Sequence, residues 1–276
     1  MENKKNTGKA QACVLYGFGI NCDLETQFAL QKAGAHAERV HVNDLITGER
    51  KLDEFHLLAF PGGFSFGDDL GSGKVLANKF KFRLKGELEK FVKEGKLVIG
   101  ICNGFQSIVK LGLLPALEGN YFSQQATLTF NESGKFEDRW VHLKFNSRSP
   151  CVFTKGMDTI YLPVRHGEGN FIAREKELKE ITGKNLFAAQ YCSPEGELAG
   201  YPFNPNGSMQ NIAALCDESG RVFGMMPHPE AFTHYTNHPR WARGEADKWR
   251  CQNDGEGPGI QIFRNAVQYA QKNILR

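Results

Sequence analysis

Apolar positions fall into short, nearly unbroken runs separated by stretches of helical period, and this alternation predicts the fold before any motif is considered. A run at 12–16 is followed by a helical pattern at 23–33 that Gly34 stops, then by a strand-like run at 38–42. A second set comprises a run at 57–60, a Gly-rich loop, a charged amphipathic helix at 84–94 ending at Gly95, and the run LVIGI at 97–101. Strands apolar at every position need cover on both faces, and strands alternating with helices provide it as a parallel sheet between helical layers. The first half therefore predicts an α/β fold. From about 121 to 226 the segments at 125–130, 139–145, 159–164 and 221–226 are short and alternating, which reads as an additional antiparallel portion of the same domain. A closing helix is expected near 260–272. The stretch 233–258 before it is polar, spotted with aromatics and without clear period, and reads as an ordered surface insertion. No repeat, low-complexity tract or flexible linker interrupts the chain, so a single domain over 11–276 is expected behind a polar tail at 1–10.

Composition narrows the class. A chain of 276 residues with 41% apolar content can bury a sizeable core. Its 34 basic and 31 acidic residues nearly cancel, so a net charge of +3 sets up no field that would favour nucleic acid or an anionic membrane. Small molecules or proteins are the expected partners. The polar, basic start MENKKNTGKAQ and the lack of any run of roughly 18 apolar residues predict neither export nor membrane insertion. Seven cysteines without a CxxC pair fit neither a disulfide framework nor a zinc site, and point to a reducing cytoplasm.

Three segments carry candidate chemistry. Gly100-Ile101-Cys102-Asn103-Gly104 joins LVIGI to the helical pattern FQSIVKLG, the spacing of a nucleophile elbow with Cys in the central place. The two glycines are expected to let the backbone turn sharply, and a helix N-terminus favours the thiolate. Cys13, Cys22, Cys151, Cys192, Cys216 and Cys251 lack such a setting and read as small buried hydrophobes. Attack on an amide carbonyl needs oxyanion donors, for which the N–H of Asn103 and the loop from Pro61 through Gly62, Gly63 and Phe64 to Asp68 are candidates; the loop reads equally as a tight turn that requires glycine. Met226-Pro227-His228-Pro229-Glu230 follows a strand-like run and supplies an imidazole and a carboxylate. Two apart on an extended backbone, their side chains share a face, as a base and its orienting group require. Gly17 to Cys22 lacks the third glycine of a dinucleotide fingerprint, Gly67 to Lys74 has the wrong spacing for a phosphate loop, and His234 with His238 has no third ligand nearby. No nucleotide, cofactor or metal site is expected.

PGGFSFGDD, GICNGFQ, HGEGNF at 166–171, GSMQNIAAL at 207–215 and MPHPE occur in the order of a family to which the chain is similar. Together they resemble the class I, triad-type glutamine amidotransferases, and within these the glutaminase subunits of phosphoribosylformylglycinamidine synthases. The resemblance runs from about 11 to about 235. It implies a flavodoxin-like core in which Cys102 attacks the glutamine side-chain amide, His228 serves as acid and base, and Glu230 orients it. It also implies an oxyanion hole at Gly63, Phe64 and Asn103, with Gln106 contacting glutamine. Ammonia would pass to a separate synthetase subunit, possibly assisted by a small accessory subunit, where ATP, magnesium and formylglycinamide ribonucleotide bind. His166 and Glu168 of HGEG lie outside the implied triad. The insertion, with Arg240, Trp241, Arg243 and Trp249, is either an interface or cover for the core. Rival readings are a glutaminase for another synthetase, a non-catalytic regulator on the same scaffold, and a cysteine peptidase.

Overall fold

The computed structural model describes residues 8–250 and 253–275, so Cys251 lies outside the described residues. In chain order the first half forms β1 (Gln11–Tyr16), α1 (Asp23–Lys32), β2 (His36–His41), α2 (Val42–Thr47), β3 (Leu57–Phe60), α3 (Lys74–Arg83), α4 (Lys85–Lys93), β4 (Leu97–Ile101) and α5 (Asn103–Leu111). The second half adds β5 (Ala126–Thr129), β6 (Glu137–Phe145), β7 (Thr159–His166), β8 (Asn170–Ala173), α6 (Glu175–Gly183), β9 (Phe187–Cys192), β10 (Ile212–Cys216), β11 (Val222–Met225), α7 (Asp247–Arg250) and α8 (Ile260–Asn273).

A sheet of nine strands in the order β2-β1-β3-β4-β11-β10-β9-β6-β7 organises the molecule, and β5 pairs with β8 in a separate two-stranded sheet. The first five strands in that order run parallel to one another. From β10 onward every pairing is antiparallel. This is the α/β architecture with an antiparallel portion that the pattern predicts, except that the antiparallel strands mostly continue the main sheet. β3, β4 and β11 are buried at every position, which is why they read as unbroken apolar runs. β11 returns late in the chain to lie beside β4, and this crossover brings residues more than a hundred positions apart to one sheet edge.

Two elements differ from expectation for identifiable reasons. α3 occupies residues assigned to the Gly-rich loop; its buried face is only Leu76, Ala77 and Phe80, masked in sequence by the lysines between them. β10 is antiparallel yet buried at all five positions, so it shows no alternation to announce it. The described residues of 233–258 form short turns and α7 rather than a long element. Trp249 meets Phe232 edge-on at 5.3 Å and lies 5.9 Å from His238, in an aromatic cluster that includes Trp140 and Tyr161 on the two outer strands. Trp249 thus covers the core, whereas Trp241 is 45% exposed and Arg240 pairs at the surface with Glu245. No helix among the described residues is long and apolar enough to cross a membrane.

Candidate active site

The parallel register sets Ile101 opposite Met225, so β4 and β11 end at the same height. Cys102 N–H donates to Met225 O at 2.8 Å, and His228 N–H to Pro163 O at 2.9 Å, tying both chain ends to neighbouring strands. Cys102 and the His228 imidazole are therefore delivered to the C-terminal edge of the parallel strands by two adjacent backbones, the usual place for chemistry in an open α/β sheet.

Cys102 itself takes the strain of the strand-to-helix turn, with φ 50° and ψ −106°, a conformation that side-chain-bearing residues avoid unless their surroundings impose it. Gly100 and Gly104, expected to supply the sharp turn, do not have positive φ. They serve close packing instead. A Cβ on Gly104 would lie 1.8 Å from Phe60 O, and one on Gly100 2.7 Å from Gly104 O, so α5 rides directly on β3 and β4. Gly104→Ala is accordingly expected to destabilise the fold by about 3 kcal/mol or more, since the obstruction is backbone rather than a mobile side chain. Thermal denaturation checks this; an unchanged melting temperature would show that α5 can shift freely. The helix starts without a side-chain cap, and the Asn103 N–H makes no hydrogen bond among the described residues.

His228 Nδ1 lies 2.5 Å from Glu230 Oε1, and its Nε2 has no hydrogen-bond partner among the described residues. Both side chains are almost completely buried. Burial alone would push the imidazole down, but the Glu230 carboxylate and Cys102 outweigh it and hold His228 well above its ordinary value. The pair does not sit on extended backbone as expected: Pro229 to Ala231 form a 3-10 turn, begun by a proline whose fixed φ suits its first position. The turn still brings imidazole and carboxylate together. The Cys102 thiol donates to Arg165 O at 3.5 Å.

The loop after β3 crosses above these groups. A Cβ on Gly62 would lie 2.8 Å from His228 Cε1 and 3.5 Å from Cys102 Cβ, so only glycine lets the backbone pass there. Gly63, at φ 145°, stands in a bridge with Ile20. Its N–H makes no hydrogen bond among the described residues, whereas the Phe64 N–H donates to Gly19 O at 2.9 Å. Phe64 is therefore not an available backbone donor in this arrangement, and its exposed ring stands at the rim. The Gln106 side chain, expected to contact glutamine, is buried at the start of α5. Its Nε2 donates to Glu168 O at 2.6 Å and its Oε1 accepts from Asn103 Nδ2 at 3.1 Å, so the amide is engaged inside the protein. His166 is buried, bonded to Asn131 at 3.1 Å, and pushed down to about 3 by burial and by the nearby His228, so its ring is neutral near pH 7.

Cys22, one of the six cysteines whose sequence setting reads as a small buried hydrophobe, stands next to this site. It is half-buried at the end of the turn after β1, its thiol lies beside His228, and its donor atom is within 4.8 Å of those of His228 and Glu230. A cleft of about 430 Å³ reaches Cys22 and Glu230 from solvent, with Arg165 in its wall. A larger cavity of about 940 Å³ between Asn146 and the last helix is lined by none of these residues, so size does not locate the chemistry.

The fold and this edge are those of the glutamine amidotransferases, and the family model for a CobB/CobQ-like glutamine amidotransferase domain matches residues 9–270. Phosphoribosylformylglycinamidine synthase subunit PurQ of Methanococcus maripaludis is 44% identical over 267 residues, covering 94% of this chain and 97% of that protein. The PurQ subunit of Dehalococcoides mccartyi is also 44% identical, over 96% of this chain and 99% of its own. A chain in the structure of PurLQS from Thermotoga maritima superposes with a TM-score of 0.69 at 30% identity, over 95% of this chain and 99% of that one. The chain belongs to the PurQ family of phosphoribosylformylglycinamidine synthase subunits.

Proposed function

We propose that this chain hydrolyses glutamine to glutamate and ammonia and delivers the ammonia to a synthetase subunit that converts formylglycinamide ribonucleotide to its amidine in purine biosynthesis. The observation that carries the reading is the buried His228–Glu230 pair beside the strained Cys102 elbow, close enough for Cys102 to raise the imidazole, with Nε2 free of hydrogen bonds among the described residues. In the proposed sequence Cys102 gives its thiol proton to His228 Nε2, the sulfur attacks the side-chain carbonyl carbon, and the developing oxyanion is held by the N–H groups of Gly63 and Asn103. The imidazolium of His228 protonates the departing nitrogen, which leaves as ammonia while a γ-glutamyl thioester remains on Cys102. His228, now neutral, takes a proton from water; the hydroxide oxygen bonds to the carbonyl carbon, the C–S bond breaks, and glutamate departs. The Glu230 side chain accepts from Nδ1–H and holds that tautomer. ATP, magnesium and the ribonucleotide are assigned to the partner, with a small accessory subunit in the assembly and the cytoplasm as its setting.

Hydrolysis uncoupled from synthesis would lose ammonia to water, so the isolated chain is expected to be a poor glutaminase. Steady-state glutaminase activity, measured for the chain alone, with its synthetase, and then with ATP and formylglycinamide ribonucleotide added, should rise by about tenfold or more. Full activity of the chain alone, unchanged by either addition, would contradict coupling to a synthetase.

A further inference from the structure

Three ionisable side chains, Asp68, Lys110 and Glu168, surround the site without a part in the steps above. The Lys110 and Glu168 side chains are only 9% and 12% exposed and lie 3.5 Å apart. Keeping opposite charges out of water is costly, and a neutral pair of the same shape would avoid that cost. Burial opposes the charged forms of Lys110 and Asp68 alike.

Their contacts converge on one residue. Ser72 N–H donates to both carboxylate oxygens of Glu168 at 3.2 Å, and Lys110 Nζ donates to Ser72 O at 2.6 Å. The two charges thus grip the donor and the acceptor of Ser72 at the far end of the loop after β3. Beside it, a Cβ on Gly73 would lie 2.7 Å from Ser107 N, so this end of the loop rests directly on α5. The near end is held by Asn103, whose Oδ1 accepts from Ser65 N–H at 3.1 Å and whose Nδ2 donates to Asp68 Oδ1 at 2.9 Å. The same Nδ2 donates to Gln106, Gln106 donates to Glu168 O, and Ser72 Oγ–H donates to Asp68 Oδ2 at 2.9 Å. A closed circuit of hydrogen bonds therefore runs from the start of the loop, through α5 and the HGEG turn, to its end. Inside the circuit Phe66 and Asp68 both hold φ 55°, a left-handed conformation that persists in such residues only when the surroundings over-determine it.

We propose that Lys110 and Glu168 are positioning residues for glutamine hydrolysis: by clamping Ser72 they hold the 64–73 loop against α5 and keep the Gly63 and Asn103 N–H groups at the spacing an oxyanion requires. This rests on the function proposed above. Lys110 and Glu168 spend their polar contacts on Ser72 and on each other and belong to neither the proposed triad nor the proposed oxyanion hole, so the clamp acts on the rate of the chemical step rather than on binding.

The test uses the assembled synthetase complex, with glutamine-dependent and ammonia-dependent amidine formation measured on each preparation. Glu168→Ala and Lys110→Met are each expected to lower glutamine-dependent kcat by about tenfold. KM for glutamine should stay within about twofold, and the ammonia-dependent rate should be unchanged. The double variant should be no worse than the worse single, because either change opens the same clamp. Glu168→Gln, whose amide oxygen can still accept from Ser72 N–H, should recover part of the loss. Rates that fall together for both nitrogen sources, losses that multiply in the double variant, or no loss at all would each overturn the clamp. A wild-type complex that uses ammonia but never glutamine would instead overturn the proposed function.

Discussion

Cys102→Ala is expected to abolish glutamine-dependent amidine formation by the complex while leaving the ammonia-dependent reaction largely intact. The reason is a division of labour between two sites. The thiol at the elbow is the only proposed bond-forming group of this chain, whereas ammonia supplied in solution enters at the synthetase and bypasses it. Structurally the change is mild: the one hydrogen bond of the Cys102 thiol among the described residues is the 3.5 Å bond to Arg165 O, and the backbone conformation is imposed by the Met225 hydrogen bond and the seat of α5 on Phe60. Losing one sulfur should leave docking and folding intact. Appreciable glutamine-dependent turnover in the variant would remove Cys102 as nucleophile, and Cys22, beside the same imidazole, would be the group to examine next.

His228→Asn should bind glutamine yet lose turnover by about three to four orders of magnitude, because one group serves as acid for the leaving nitrogen and base for the incoming water. Glu230→Gln should cost about one to two orders of magnitude less, since the carboxylate orients the imidazole and makes no bond to the substrate. The two variants also differ in pH behaviour. Glu230 is a cause of the raised His228 value, so its neutralisation lets burial lower that value. A group with a lowered pKa releases its proton at lower pH, and the alkaline limb of kcat should move toward acid in Glu230→Gln. His166→Asn serves as the control, because that imidazole is already neutral and committed to Asn131. If it proved the more damaging change, the proposed triad would be wrong.

Much of the site was legible because it depends on local chemistry. An unbroken apolar run followed by Gly-x-Cys-x-Gly marks a strand feeding a helix, and strand and helix lie there. The reason assigned to the glycines was different, because sequence spacing cannot separate a need for φ freedom from a need for close approach; Phe60 O, forty-four positions upstream of Gly104, settles it. Lys110, Asp68 and Glu168 were not legible as a group, since each comes from a different element and only packing brings them to Ser72. Cys22 could have been found by one further step. In a parallel sheet the C-terminal ends of adjacent strands share an edge, so the turn after β1 belongs near the turns after β3 and β4. The roles of Phe64 and Gln106 were inferred from family position, whereas their hydrogen bonds to Gly19 and to Glu168 and Asn103 depend on distant backbone.

The proposal that Cys102 forms a thioester with the γ-carbonyl of glutamine is tested most directly by quenching the working complex in acid and mapping covalent mass on this chain. The peptide carrying Cys102 is expected to gain the mass of one glutamyl group when glutamine is present, to lose it after mild hydroxylamine, and to show no gain when ammonia replaces glutamine. A glutamyl adduct on Cys22, or turnover with no adduct on any cysteine even when hydrolysis is slowed by Glu230→Gln, would contradict it.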